Sequence, residues 1–312
     1  MKDKKVFNAE FVRKYGILMV LMTMWLLLLI VSPTFRTVTN AVNILRQVSV
    51  NGILAIGMTF VIMTGGIDLT VGALVAVAGV ISGSILSVAP SMVIPAVLAG
   101  IVVCALFGAL NGFFVAYIGV PAFVATLADM TIARGFAYVY SNGKPYTLLS
   151  PAFSVIGKGM APIIIFLFIL VVCHVVLSKM KFGRYIYATG GNIKAAEASG
   201  IKTKSILIRV YMLAGMLSGI AGIVLASRTN SGQPAVGTGF ETDAIAAAVI
   251  GGTSMTGGIG TIPGTLIGIL IIGTLNNGLN LLGVSSYYQQ IIKGIIILGA
   301  VCFDLVSKKS SK

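Results

Sequence analysis

Six stretches of this sequence carry no Asp, Glu, Lys or Arg, and they constrain the fold more than any other feature. They run over residues 15–35, 47–67, 69–128, 159–178, 210–227 and 244–292. A helix needs about 20 apolar residues to cross the roughly 30 Å hydrocarbon layer of a bilayer. The third and sixth stretches are long enough to cross, turn and cross back; each of the others fits one crossing. With 57% hydrophobic and only 10% charged residues, a chain of 312 residues cannot cover a soluble core with polar surface. These lengths predict an all-α integral membrane protein in a single transmembrane domain covering 1–312. Its ten apolar segments are 16–31, 48–63, 71–88, 92–114, 123–140, 162–177, 206–226, 242–253, 263–282 and 288–306.

Charge placement orients those segments. Fifteen of the 22 Lys and Arg residues fall in the N-terminal tail, between the sixth and seventh segments or in the first turn of the seventh (Arg209), and after the tenth. The opposite face keeps Arg36, Arg46, Lys144, Lys158 and Arg228. By the positive-inside rule the first face is cytoplasmic, so both termini and the 178–205 loop lie inside, with 229–240 outside. The net charge of +14 is thus topology information. A nucleic-acid surface would need a basic, aromatic-bearing soluble face, which the pattern does not supply. The lysines before the first apolar run resemble a signal peptide, but 31–34 offers no small-x-small cleavage site, so the first segment is expected to stay.

The chain repeats itself. Residues 63–74 read MTGGIDLTVGAL and residues 255–266 read MTGGIGTIPGTL, identical at seven of twelve positions. Internal repeats are common in transporter folds. In the first copy Gly65 and Gly66 suit a left-handed helix stop, and Asp68 suits a cap on the next helix. In the second, Gly257 and Gly258 suit the stop, while Thr261 and Pro263 suit the restart. Helices broken at membrane depth occur only where protein or a cavity shelters the backbone. These five residues (Gly65, Gly66, Asp68, Gly257 and Gly258) are therefore candidates for a translocation path or gate; the alternative is two ordinary surface turns.

Several Gly pairs are spaced for close helix contact: 79/83, 108/112, 215/219 and 264/268. Asp129 and Arg134 lie in the fifth apolar segment, where charge is costly and usually functional, yet five residues apart they are poorly placed to pair along one helix. Within 183–204, GRYIYATGGNIKAAEASGIKTK, Asn192 is a candidate N-cap and Gly200 a candidate terminator. They frame a short helix over 193–199 whose alanines give a low-relief surface for docking, although composition alone favours a solvated basic loop. Cys104, Cys173 and Cys302 fall in apolar segments and read as small buried hydrophobes. The chain has a single His, no metal-ligand spacing, no nucleophile–base constellation and no GxxxxGK[ST] phosphate loop. No catalytic residue, metal or cofactor is expected, and any ATP hydrolysis would belong to another subunit.

The segments GRYIYATGGNIKAAEASGI, GTGFETDAIAAAVIGGTSMTGG, NNGLNLLGVSSYYQQ and GMTFVIMTGGIDLTVG together resemble the monosaccharide permeases of bacterial ATP-binding-cassette importers, in order and over about 43–306. The resemblance implies a type II-like importer permease fold in the bacterial cytoplasmic membrane. It implies a sugar cargo, with ribose first, and a partnership with a cytoplasmic ATP-binding subunit, an extracytoplasmic sugar-binding protein and a second permease copy. It also implies that 192–201 is the helix seated on the ATPase, with Gly191, Asn192, Ala195, Ala196, Ser199, Gly200 and Ile201 as coupling residues and Glu197 at a variable position. A branched-chain amino-acid permease is the alternative within the superfamily, and an ion-coupled secondary transporter the alternative outside it.

Overall fold

The computed structural model describes residues 2–147 and 149–309. In chain order its helices are α1 (Lys2–Val31), α2 (Val38–Met63), α3 (Val71–Val88), α4 (Val93–Phe113), α5 (Ala122–Tyr140), α6 (Pro151–Ser154), α7 (Ala161–Lys179), α8 (Lys181–Gly191), α9 (Ile193–Ala198), α10 (Thr203–Thr229), α11 (Phe240–Ile250), α12 (Ile262–Leu281) and α13 (Ser286–Lys309). Two two-residue strands, β1 (Tyr146–Thr147) and β2 (Ser231–Gly232), pair antiparallel. By length and composition α2, α3, α4 with its π-helical extension Phe114–Ile118, α5, α7, α10 and α12 can each cross a membrane, and α1 adds the apolar run Gly16–Val31. The protein is an all-α, multi-pass membrane protein.

All ten anticipated apolar segments are helical, with two departures. The second begins at Val38, ten residues before the expected start, because Thr37 caps it by accepting from the Asn40 N–H at 3.2 Å. The eighth, expected over 242–253, is only the 11 residues of α11, about 16 Å at 1.5 Å per residue, and cannot cross alone. It stops because Gly251 and Gly252 follow, with Gly252 at φ +89°.

Helices α2, α3 and α10 form the interior, with most of their residues buried, whereas α4, α5 and α7 bury a third or fewer and form an outer layer. Leu98, Val102 and Leu106 on α4 and Ile164, Phe168 and Val171 on α7 face outward, as helices against lipid require. Small residues let the inner helices close up. A Cβ on Gly108 or Gly112 of α4 would run into Tyr211 or Ile208 of α10, and one on Gly215 or Gly219 of α10 would run into Cys104 or Ile101 of α4. The two GxxxG pairs thus face each other, and their use is intramolecular. Several interior hydroxyls back-bond to their own helix, as with Ser82 to Ala78 O and Ser218 to Ala214 O, both at 2.8 Å. Of the three cysteines, Cys104 and Cys173 are buried, but Cys302 is exposed, contrary to its apolar surroundings in sequence.

The stretch 230–239 does not stay at the surface. From β2, at the far end of α10, it folds back along α3, with Gly232 against Gly79 and Gly237 against Gly72. Irregular backbone of this kind leaves carbonyls without helical partners, and Arg134 of α5 supplies them: its guanidinium donates to Pro234 O at 2.6 Å and Val236 O at 2.7 Å. Arg134 and Asp129 do not pair with each other.

Candidate functional site

The short helix α9 is built by local chemistry. Asn192 Oδ1 accepts from the Ala195 N–H at 3.1 Å, capping the N-terminus. At the other end Gly200 takes φ +80°, its N–H meets Glu197 O at 2.9 Å, and the Ile201 N–H meets Ala196 O at 3.0 Å. Ser199 Oγ donates to Ala195 O at 2.9 Å. Glu197, a residue without expected role, accepts from Thr203 Oγ1 at 2.6 Å and so ties α9 to the first turn of α10. One expectation fails here. Ala196, anticipated on the docking surface with Ala195, is buried against its own chain, because the helix turns that face onto the α8–α10 junction. The outward face is Ile193, Lys194, Ala195 and Ala198; Gly191, Asn192, Ser199 and Gly200 are exposed, and Ile201 packs partly against the core.

The two echoed turns meet each other. The Gly258 N–H donates to Met63 O at 2.9 Å, joining the second copy to the end of α2. A Cβ on Gly257 would come within 2.7 Å of Gly190 O and 3.0 Å of Gly65 N, and one on Gly258 within 2.9 Å of Gly191 Cα. A Cβ on Gly190 would collide with Met63 O. Tyr187, one turn earlier on α8, donates to Gly260 O at 2.7 Å, and burial raises its phenol pKa, keeping the donor protonated. The candidate gate turns and the helix that leads into α9 are therefore one interlocked backbone junction. The sequence placed them in separate groups.

Within the junction the five candidate residues take different parts. Gly65 has φ +80° and open space around it, so it is the left-handed stop of α2, while Gly66 does not take that conformation and is small because Tyr211 of α10 lies against it. Gly257 and Gly258, at φ +82° and +73°, shape the loop but do not end α11, which stopped at Gly251 and Gly252. Thr261 restarts the chain as α12 by accepting from the Gly264 N–H at 3.1 Å, with Pro263 in the first turn. Asp68 Oδ1 accepts both the N–H of Thr70, at 2.9 Å, and its hydroxyl, forming a turn just ahead of α3.

A second polar centre was not anticipated. Asp243 on α11 pairs with Lys293 on α13 at 2.9 Å and also accepts from Asn51 of α2 and Asn276 of α12 at 3.4 and 3.5 Å. Beside it Asn40 and Asn277 exchange reciprocal amide bonds at 3.0 and 2.9 Å, and Trp25 donates to Thr274 Oγ1 at 3.0 Å. Asp243 and Lys293 are the two charges that bracket the charge-free interval 244–292. The available signal was that both fall within apolar segments, where a charge needs a partner, although nothing in the sequence says which.

At the other end of α10, Arg46, Lys158 and Arg228 surround a cavity of about 430 Å³. Arg46 Nε donates to Gly159 O at 2.9 Å, and Arg228 donates to Arg46 O at 3.3 Å.

Comparison with known proteins agrees over the whole chain. Residues 40–301 match the permease family described as "Branched-chain amino acid transport system / permease component". The ribose import permease protein of Bacillus subtilis (strain 168) is 46% identical over 99% of this chain and 98% of its own length, and that of Escherichia coli (strain K12) is 45% identical over 97% of both. The L-arabinose transport system permease protein of Escherichia coli (strain K12) is 38% identical over 96% of this chain and 92% of its own length. No solved structure matches. With a family match over most of its length and relatives of this identity end to end, the chain belongs to the branched-chain amino acid transport system / permease component family.

Proposed function

We propose that this chain is the permease subunit of an ATP-binding-cassette importer for a monosaccharide, with ribose as the cargo. The observation that carries the reading is the identity of 45–47%, over 88–99% of this chain, to proteins named as ribose import permeases. The family description names branched-chain amino acids, but the relatives at 38% identity and above are named for ribose, L-arabinose and D-allose, which favours sugar. The partners of this reading are a cytoplasmic ATP-binding subunit on α9, an extracytoplasmic sugar-binding protein at the Arg46–Lys158–Arg228 end, and a second permease copy.

The geometry gives the reading a mechanism. When two ATPase subunits close, their movement must reach the spans through a rigid contact. Helix α9 is capped at both ends and tied to α10 through Glu197. Helix α8 is keyed to both echoed turns through Gly190 and Tyr187. A push on α9 therefore displaces the ends of α2 and the 251–261 loop together, and those turns act as the gate. The coupling unit is 178–205.

The test uses the outward face of α9, because an arginine at the buried Ala196 would disturb the fold itself. Ala195→Arg is expected to preserve expression and permease dimerisation, to lose co-purification of the ATPase, and to abolish ribose uptake in cells. Ser91→Arg, exposed at the opposite end, should keep ATPase binding. Retention of both ATPase binding and uptake by Ala195→Arg would remove α9 from the coupling role. Saturable uptake of leucine and none of ribose would replace the sugar by an amino acid.

A further inference from the structure

Where α3, α4 and α5 converge, four polar side chains are closed off from solvent: Asp68, Thr70 and Asn111 are 0% exposed and Asp129 is 4% exposed. They form a line. Thr70 donates its N–H and its hydroxyl to Asp68 Oδ1, Asn111 Nδ2 donates to Thr70 Oγ1 at 3.4 Å, and Asp129 lies beside Asn111, within electrostatic reach of Asp68. Four oxygens of this line have no hydrogen-bond partner: Asp68 Oδ2, Asn111 Oδ1 and both oxygens of Asp129. Asn111 is the independent sign, because a neutral amide has no reason to bury a bare carbonyl unless a donor meets it.

No cation compensates the two carboxyl groups. Among the described residues neither forms an ion pair, and the surroundings are Tyr211 from α10, which donates to Ile67 O, Cys104 from α4, which donates to Leu74 O, and Thr126 on α5, which donates to Ile67 O and Ala122 O. Arg134, further along α5, is spent on the carbonyls of 234 and 236, and Glu241 accepts from the Gly239 N–H. Two uncompensated negative charges in one closed-off site are strongly disfavoured, because each loses its hydration and repels the other. The two acids are not equivalent. Thr70 gives Asp68 two donors that stabilise a carboxylate, whereas the one donor near Asp129 is the amide of Asn111.

We propose that Asp129 binds a proton in the membrane interior and is held as a carboxylic acid, while Asp68 stays ionised. The Asp129 hydroxyl is the missing donor at the Asn111 end of the line, and the bound proton joins α5 to the turn between α2 and α3. That turn carries one copy of the echoed sequence, so the proton sits on an element the transport reading moves, although the inference does not depend on that reading.

Infrared spectroscopy of the purified full-length permease in lipid nanodiscs, with aspartate labelled by carbon-13 at its side-chain carboxyl, tests it without any transport assay. A protonated-carboxyl carbonyl band that moves with the aspartate label is expected at neutral pH. The band should be lost in Asp129→Asn and retained in Asp68→Asn. Absence of the band in the wild-type protein, a measurement independent of whether any variant folds, overturns the proposal. Persistence of the band in Asp129→Asn also overturns it. So does a sodium-dependent rise in the thermal unfolding midpoint that Asp129→Asn abolishes, which would assign the cluster to an alkali cation.

Discussion

At the scale of single residues, helix caps and left-handed stops are set within one turn of chain. Asn192, Gly200, Thr261 and Gly65 do locally what their chemistry suggests, because a cap or a left-handed stop needs only its own turn of chain. Replacing Asn192 by Ala should therefore cost α9 about 1 kcal/mol. Hydrogen exchange confined to residues 192–200 would read this as faster exchange there, and unchanged exchange would show that packing alone holds the helix. What was illegible depends on a distant partner. Nothing near Gly66 in sequence announces Tyr211, and nothing near Asp243 announces Lys293, fifty residues on. That pair supports a sharper expectation, since breaking a buried ion pair costs more than removing it. Lys293→Met should destabilise by at most about 3–5 kcal/mol, since the Lys293 side chain keeps 22% of its surface exposed, and adding Asp243→Asn should recover part of that loss. Thermal unfolding of the single and double variants measures the difference, and equal loss in both would mean that the pair is not coupled.

Elements show the same division. Ten apolar segments could be read directly, because a membrane crossing imposes a length. The exception is α11, whose apolar run continues past Ile250 while the backbone stops at Gly251; hydropathy does not see a positive φ. Junctions between elements were the least legible part. Gly190 and Gly191 are adjacent and chemically identical, yet a Cβ on Gly190 meets Met63 O and, at 2.6 Å, Gly258 N, whereas a Cβ on Gly191 meets nothing within 4 Å. Gly190→Ala should lower stability by about 1–3 kcal/mol and depress uptake, and Gly191→Ala should do neither. The measurement is the thermal midpoint in detergent alongside uptake at matched expression. Identical behaviour of the two variants would dissolve the idea that α8 is keyed to the echoed turns.

At the scale of the whole molecule, orientation follows from which end carries the positive charge. Helix α10 spans the protein from Thr203 beside α9 to Thr229 beside β2, and the two ends are unequally charged. Lys179, Lys181, Arg184, Lys194, Lys202 and Lys204 gather at the α9 end, and Lys144, Lys158, Arg46 and Arg228 at the other. By the positive-inside bias we propose that the α9 end faces the cytoplasm, where the ATPase of the proposed importer would bind. Cysteine labelling decides this, but the positions need care. Ser231 is buried in β2 and Ser310 lies outside the described residues, so neither serves. Lys194 and Lys144 are exposed at opposite ends, and Cys104 and Cys173 are buried and silent, leaving Cys302 to be replaced by Ser. In that background a membrane-impermeant maleimide applied to intact cells should label Lys144→Cys and should reach Lys194→Cys only after the membrane is opened. If Lys194→Cys reacts in intact cells and Lys144→Cys does not, the protein sits the other way up, and α9 could not meet an ATP-binding subunit. Labelling of both from one side would instead mean that the chain between 144 and 194 fails to cross, contradicting α7 as a span.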